Sequence, residues 1–498
     1  MRTSFWALVG SSLAAVALVA SCSSSTCEDK GTCGGPGDEG GVEGGNDAGA
    51  DVVPAGCILT AEPKDAPKCV VSDLGVFVDG ANGADGNAGT KESPVKTIGA
   101  ALGKLAGKSR VYVCEGTYVE HVKLTSAVSV YGGFACSGWS YSGTKAKVTP
   151  SDVGYALEIA STSGDVTVAD LSFVSVNATD KGQSSIAAFV HSGATKVVLV
   201  RSELEAGSGK EGADGAAGDT GTITAVSGGG ALNASGYPAS GTTAGTIKTC
   251  TCSSGGTSAG AGGGAPAGAG ALGMPNLGGA APNDGVGGLA NTSCAVAEPN
   301  GTGNNGADAT NAADAVKVTT LGALSANGWT PQAGATGTSG TPGQGGGGGG
   351  GRDGTSAGGG GGCGGCGGTG GKGGGGGGAS VALLSVDSSV TLRASKLTAK
   401  TAGPGGTGGA KGTGAAGGTG ANGGPSGCSA GDGGRGGDGG TGGGGAGGVG
   451  VAVLTKGTAP VNDGSTLTPG TKGAPGTGGN PGTNDGPDGQ QTATLQIQ

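Results

Sequence analysis

Glycine at every third position is the feature that most constrains this chain. The spacing holds at Gly209, Gly212, Gly215, Gly218 and Gly221, and at Gly403, Gly406, Gly409 and Gly412. It returns at Gly431, Gly434, Gly437, Gly440 and Gly443, and at Gly470, Gly473, Gly476, Gly479 and Gly482. A residue without Cβ adds nothing to a side-chain core and loses the most conformational freedom on ordering. Two outcomes are open to such tracts. They stay disordered, or they form extended left-handed helices of three residues per turn, with glycine on the edge where another backbone approaches. Collagen uses that geometry but needs far more proline than the 20 among these 498 residues. The ordered alternative is therefore a polyglycine-II-like bundle joined by backbone hydrogen bonds.

With 125 glycines, and aromatics at 3%, large apolar side chains are scarce and confined to a few segments. The clearest is Ser380–Leu397, SVALLSVDSSVTLRASKL, an apolar, β-branched island between two glycine tracts. Its pattern recurs. Val166/Val168/Phe173, Val197/Leu199/Leu204 and Val390/Leu392/Leu397 share two apolar residues spaced by two and a third five further on. Each follows an apolar-Ala-small/apolar triplet: Tyr155-Ala156-Leu157, Ile186-Ala187-Ala188 and Val381-Ala382-Leu383. A degraded fourth copy pairs Val451-Ala452-Val453 with Val461 and Leu467. Period-two alternation marks strands, and one copy cannot bury its face alone, so the copies are expected to stack as rungs. The glycine tracts start after Leu204, Leu397 and Leu467, at one register of the rung, and so should leave from one corner.

The N-terminus reads as a targeting segment, with Arg2 ahead of the apolar stretch Phe5–Ala20, too short for a comfortable membrane span. Val19-Ala20-Ser21-Cys22 resembles the bacterial lipobox. That resemblance implies lipidation of Cys22 as the first mature residue, and Ser23 after it implies outer-membrane sorting. Twelve further cysteines, an even number, favour structural disulfides in an oxidising compartment. Local pairs Cys27–Cys33, Cys57–Cys69 and Cys114–Cys136 are expected. Cys250, Cys252, Cys294, Cys363, Cys366 and Cys428 would cross-link glycine-rich chain, with no pairing assigned. Cys363 and Cys366 have CxxC spacing, but His121 and His191 are the only histidines available for a metal site.

Between the tether and the first glycine tract, a short strand, Val76-Phe77-Val78-Asp79, leads into the turn-rich loop 80–94. Ile98, Ala101, Leu102 and Leu105 then follow at helical spacing within Val95–Gly107, and strand signals lie at Arg110–Cys114, Tyr118–Leu124 and Ala127–Tyr131. The strand ending in Asp79, the Gly/Asn/Asp loop, Pro94-x-x-Thr97-Ile98, the run VYVCEGTYVEHVKL and VSVYGGF resemble the N-terminal part of right-handed parallel β-helix proteins. The family is the pectin-lyase-like superfamily, nearest its surface and lipoprotein members without assigned activity, over roughly residues 74–204. The resemblance implies an all-β solenoid whose N-terminal helix caps the open end.

The expected organisation is a signal peptide (1–21), a flexible tether (22–56), the cap and first rungs (57–204), and a glycine-rich insertion (205–379). A rung (380–397), a second insertion (398–448), a degraded rung (449–467) and a Gly/Pro-rich tail (468–498) follow. Enzymes on such folds place carboxylates on neighbouring coils. Asp165, Asp170, Arg201, Glu203 and Glu205 are the candidates, with an ordinary solvated face as the plain explanation. Asp79, Asn82, Asp85 and Asn87 offer oxygens for calcium, but the loop lacks a distal Glu, and turn formation accounts for the same residues. No catalytic residue, cofactor or metal is therefore assigned.

A net charge of −9 without Lys/Arg clusters argues against nucleic acid. The reading is a lipid-anchored outer-membrane protein facing the periplasm or the cell surface, with a structural, adhesive or interaction role. Its partners are the membrane and, beyond it, polysaccharide or other surface components. The alternative is a carbohydrate-binding or polysaccharide-cleaving β-helix. Replacing Cys22→Ala should abolish incorporation of radiolabelled palmitate in cells; continued labelling would refute the anchor.

Overall fold

The computed structural model describes residues 53–160, 164–191, 193, 196–227, 231–295 and 300–498. The signal segment, Cys22, Cys27, Cys33 and nearly all of the tether lie outside the described residues. The fold is all-β with mainly parallel sheets, an arrangement compatible with stacked coils.

Three parallel sheets carry the core. The first runs Gly75–Val78, Arg110–Cys114, Ser129–Phe134, Val166–Ala169, Val197–Val200, Val390–Arg393 and Val461–Asp463. The second runs Gly116–Tyr118, Ala146–Val148, Leu171–Val174, Glu203–Glu205, Lys396–Thr398 and Thr466–Thr468. The third runs Val122–Leu124, Leu157–Ala160, Ser185–His191, Ser380–Val386, Gly450–Lys456 and Gln491–Ile497. From Leu157 onward the chain visits the third, first and second sheets in rotation, and each strand pairs with its counterpart one circuit away.

The registers follow the repeat. Val166, Val197 and Val390 align in the first sheet. Phe173, Leu204, Leu397 and Leu467 align in the second. Leu157, Ala188, Leu383 and Val453 align in the third. These side chains share one buried cluster between the sheets, with Leu467 partly buried against it. Val461 departs from the expected match. It pairs with Thr391 rather than Val390 and is 61% exposed. The register itself does not slip, since Val381 to Val451, Thr391 to Val461 and Leu397 to Leu467 keep one offset; Val461 stands one residue past the inward position, which Pro460 occupies, and so faces outward.

The middle strands of the third sheet are buried on both sides, and Ser380–Val386 is buried along its whole length. Its outer face carries Ile186, Phe189, Val381, Leu384, Val451 and Leu454, covered by Leu324 and Trp329 of the hairpin Gly322–Pro331. Strands buried on two faces read as continuous apolar runs. The corner between the first and second sheets uses one left-handed residue per circuit: Asp170 (φ 60°), Arg201 (φ 47°), Ala394 (φ 47°) and Gly464 (φ 70°). Just after it, Ser202 donates its N–H to Ser395 Oγ at 3.0 Å, and Ser395 donates its own to Ser465 Oγ at 2.8 Å.

The helix expected over Val95–Gly107 is a single five-residue turn, Ile98–Leu102, and no N-terminal capping helix is seen. Gly103 ends it, and Ala106 and Gly107 take positive φ and turn the chain away. Glycine and left-handed backbone both oppose helix propagation. The turn still buries Ile98 and Ala101 in the main core. Tyr118–Leu124 forms two strands, not one, Gly116–Tyr118 and Val122–Leu124, belonging to different sheets.

Glu205, Thr398 and Thr468, the last residues of neighbouring strands in the second sheet, are in register. Ser380, Gly450 and Gln491, where the chain rejoins the third sheet, are also in register. One circuit earlier the same gap is closed by the short segment 175–184. Replacing 206–379 with that segment should therefore keep the β signal in circular dichroism, while amides of the remaining glycine tracts lose protection in hydrogen exchange. Loss of the β signal would show that the coils need the excursion.

Candidate functional site

The glycine tracts form a hydrogen-bonded array of extended chains rather than loose loops. Residues 358–378 run through its centre, where almost every position is buried. Their N–H groups point to different neighbours in threes. Gly365, Gly368, Gly371 and Gly374 donate to the carbonyls of Gly434, Gly437, Gly440 and Gly443 at 2.8–3.0 Å. Thr369, Lys372, Gly375 and Gly378 donate to Asp219, Ala216, Ala213 and Lys210. Their carbonyls accept in the same rhythm, Thr369, Lys372 and Gly375 from Gly412, Gly409 and Gly406, and Gly368, Gly371 and Gly374 from Gly340, Gly337 and Gly334. A chain with three residues per turn presents each third residue to one side, about 9 Å apart along its axis. That geometry gives 358–378 four bonded neighbours.

The spacing leaves no room for side chains. A Cβ on Gly370 or Gly373 would overlap the carbonyl oxygen of Gly337 or Gly334. Contacts this close between Cα and a carbonyl are the weak C–H···O kind. Of the two states open from sequence, the tracts take the ordered one.

A few buried side chains bond inside the array, such as Ser258 to the Gly364 carbonyl and Gln344 to the Gly273 carbonyl, but the longest side-chain ladder lies at the rim. Asn305, Asp308, Asn311 and Asp314 accept the N–H groups of Asp432, Arg435, Asp438 and Thr441 at 2.6–2.9 Å. Asp438 also accepts from Gly414, Arg435 and Lys411, and Asp214 accepts from Thr407. Hydrogen bonds from backbone N–H groups (Gly414 to Asp438, Thr407 to Asp214, Thr441 to Asp314) hold these three carboxyls below their ordinary range. The ladder went unnoticed in the sequence, although Asn/Asp at period three from 305 to 314 was its visible signal.

Disulfides stitch the array. Cys250–Cys363 and Cys252–Cys366 tie the strand Lys248–Cys252 to the central chain, and Cys294–Cys428 ties two further tracts. Cys363 and Cys366 do not pair with each other, so their CxxC spacing is neither a redox pair nor half of a zinc site. Cys57–Cys69 and Cys114–Cys136 form as expected.

The acidic candidates on the coils do not converge. Asp170 is buried and held by Arg201 through Nε at 2.9 Å and Nη2 at 2.6 Å, with Tyr141 donating at 3.2 Å. Arg201 also reaches Glu62 at 2.5 Å. Burial opposes its charge, but bonds to Asp170 and Glu62 outweigh burial and raise its pKa further above the ordinary value. Glu203 pairs with Lys145 and Glu205 with Lys400, while Asp165 is exposed. Asp170, Glu203 and Glu205 thus pair with three different cations, Arg201, Lys145 and Lys400.

In the loop 79–87, side-chain oxygens bond nearby backbone groups. Asp79 Oδ1 accepts the N–H groups of Ala81 and Asn82, and Asp85 Oδ1 accepts those of Lys96 and Thr97. Asn87 donates to the Pro94 carbonyl. Among the described residues, one metal-like grouping, Asp79 with Cys114 and Cys136, has both sulfurs in a disulfide. His121 bonds Tyr155 O and Asp152, and His191 bonds Glu158 and stacks on Phe189 at 4.2 Å.

No protein-family model matches the chain, and neither does any curated protein or solved structure.

The three depressed carboxyls set a pH dependence. Their stabilisation is fully present above the unfolded value, about pH 3.9, and falls away as pH drops through the lower folded values. Amide exchange at Thr407, Gly414 and Thr441 should accelerate relative to the coil strands on acidification from pH 5 to 2, after correction for intrinsic rates. Equal protection throughout would remove these carboxylates from the account of stability.

Proposed function

We propose that this chain is a lipid-anchored cell-envelope protein with a structural, adhesive or interaction role. In this reading Cys22 carries the lipid and a right-handed parallel β-helix of the pectin-lyase-like kind is the scaffold. The glycine-rich excursions, packed as a polyglycine-II-like bundle, form the working surface. The observation that carries the reading is the bonding of residues 358–378 to four neighbouring chains at every third residue. Such an array is stiff without a side-chain core, and the common exit corner keeps it on one side of the scaffold. The separate ion pairs of Asp170, Glu203 and Glu205 support a non-enzymatic role. The chain faces the periplasm or the cell surface from the outer membrane.

Cells producing Gly370→Val, which disrupts packing against Gly337, should keep the protein lipidated and its coils folded. They should lose attachment to surfaces or envelope integrity to the same extent as cells lacking the protein. An unchanged phenotype would count against the bundle as the working surface. Release of oligosaccharides from acidic polysaccharide, with or without calcium, that stops in Asp170→Asn or Glu203→Gln would replace this reading with an enzymatic one.

A further inference from the structure

A cavity of about 390 Å³ lies where the hairpin Gly322–Pro331 meets the outer face of the third sheet. Its volume falls in the range of small-ligand sites, roughly 300–1,000 Å³. Tyr155, Ile186, Trp329 and Pro331 form largely apolar walls, Gln183, Ser184, the Tyr155 hydroxyl and the Trp329 N–H are the polar side-chain groups, and no charged residue lines it. Tyr155 packs on Phe189 with centroids 4.9 Å apart, which fixes that wall against the sheet.

Three free hydrogen-bonding groups are donors, and the Tyr155 hydroxyl can donate or accept. Trp329 is 9% exposed, and its indole N–H is buried without an acceptor among the described residues. Gln183 spends its Oε1 on the N–H groups of Thr179 and Asp180 and the Thr179 hydroxyl, leaving its Nε2 hydrogens without a partner in the described residues. Ser184 Oγ already accepts the Ala379 N–H at 2.8 Å, so its own hydrogen remains to be given. A buried donor without a partner is costly, and native structures rarely leave one unexplained.

We propose that this cavity binds a proline-containing extended peptide. Proline combines an apolar ring with a backbone that has a carbonyl and no N–H, the complement of an aromatic wall edged with donors. Its chain is preformed in the polyproline II conformation, so little entropy is lost on docking, and aromatic-lined grooves recognise it in this way. A neutral sugar fits less well. Each hydroxyl brings a donor needing an acceptor, the oxygens of Gln183 and Ser184 are already engaged, and the Tyr155 hydroxyl alone among the lining side chains is free to accept. The site would supply one contact of the interaction role proposed above, but its occupancy is tested without reference to anchoring or attachment.

The test is titration of the full chain in detergent with decaproline, and separately with cellohexaose, followed by tryptophan emission and calorimetry. Decaproline should bind saturably with a shift in Trp329 emission. Trp329→Phe keeps an aromatic wall but removes the N–H, and should weaken binding about tenfold. Gln183→Glu keeps the Oε1 acceptor of the 179–183 turn while replacing the free amide with oxygen, and should weaken binding at least as much. Circular dichroism checks that both variants fold; the second keeps the test decisive if the first does not. Absence of saturable decaproline binding would overturn the proposal, as would wild-type affinity in the folded variants. Tighter binding of cellohexaose with the same residue dependence would assign the cavity to a saccharide instead.

Discussion

The backbone hydrogen bond between extended glycine chains is the interaction on which this structure depends. In most domains, side-chain burial offsets the entropy of ordering and the hydrogen bonds follow. Around residues 358–378 there is almost no side chain to bury. The compensation has to come from close backbone packing, satisfied N–H and C=O groups, and restriction of the unfolded chain by disulfides. Cys250–Cys363, Cys252–Cys366 and Cys294–Cys428 close loops of 113, 114 and 134 residues. Closing a single loop of about 100 residues stabilises by about 4–5 kcal/mol in the chain-entropy model, but Cys250–Cys363 and Cys252–Cys366 close nearly the same loop, so the second adds far less than the first.

The coils solve a different problem beside it. Their core is conventional, with Phe173, Leu204 and Leu397 stacked in register and fully enclosed. What joins the two parts is one corner of the circuit. Chain leaving at Glu205, Thr398 and Thr468 starts from residues already aligned by strand pairing. The first bonds of the array continue that alignment: Gly209 to Thr401, Gly212 to Pro404 and Gly215 to Thr407 keep one offset. The register of the sheet is thereby handed to the glycine chains, which have no side chains to set a register of their own. The Asn and Asp ladder from 305 to 314 performs the same task where no sheet is adjacent.

Much of the coil region was legible because its information is local and periodic. The triplets around Ala187, Ala382 and Ala452 and the leucines at 204, 397 and 467 announce a two-residue alternation that needs no knowledge of distant chain. Val461 shows where that reading stops. Its apolar character matched the pattern, but its spacing to Leu467 did not, and it falls beside outward-facing Thr391. Val95–Gly107 shows another limit. Helical spacing was present, yet glycines and a left-handed turn at Ala106 left only Ile98–Leu102 helical. Asp170 and Arg201 were among five candidates for an acidic cluster, but their joining as an ion pair, with Glu62 on the other side of Arg201, depends on a contact 139 residues away in the chain.

The sequence by itself determined that the tracts could be only disordered or of three-residue period, that rungs would stack, and that excursions would leave at one point. Those follow from the missing Cβ, from strand alternation and from the spacing of repeats. Tertiary structure decided that the tracts order, which of the six tract cysteines meet, and that Tyr155, Gln183 and Trp329 line one cavity. A hydrogen bond between Gly374 and Gly443 has no signature in either glycine. Only the position of the other chains determines whether each N–H faces a carbonyl or water.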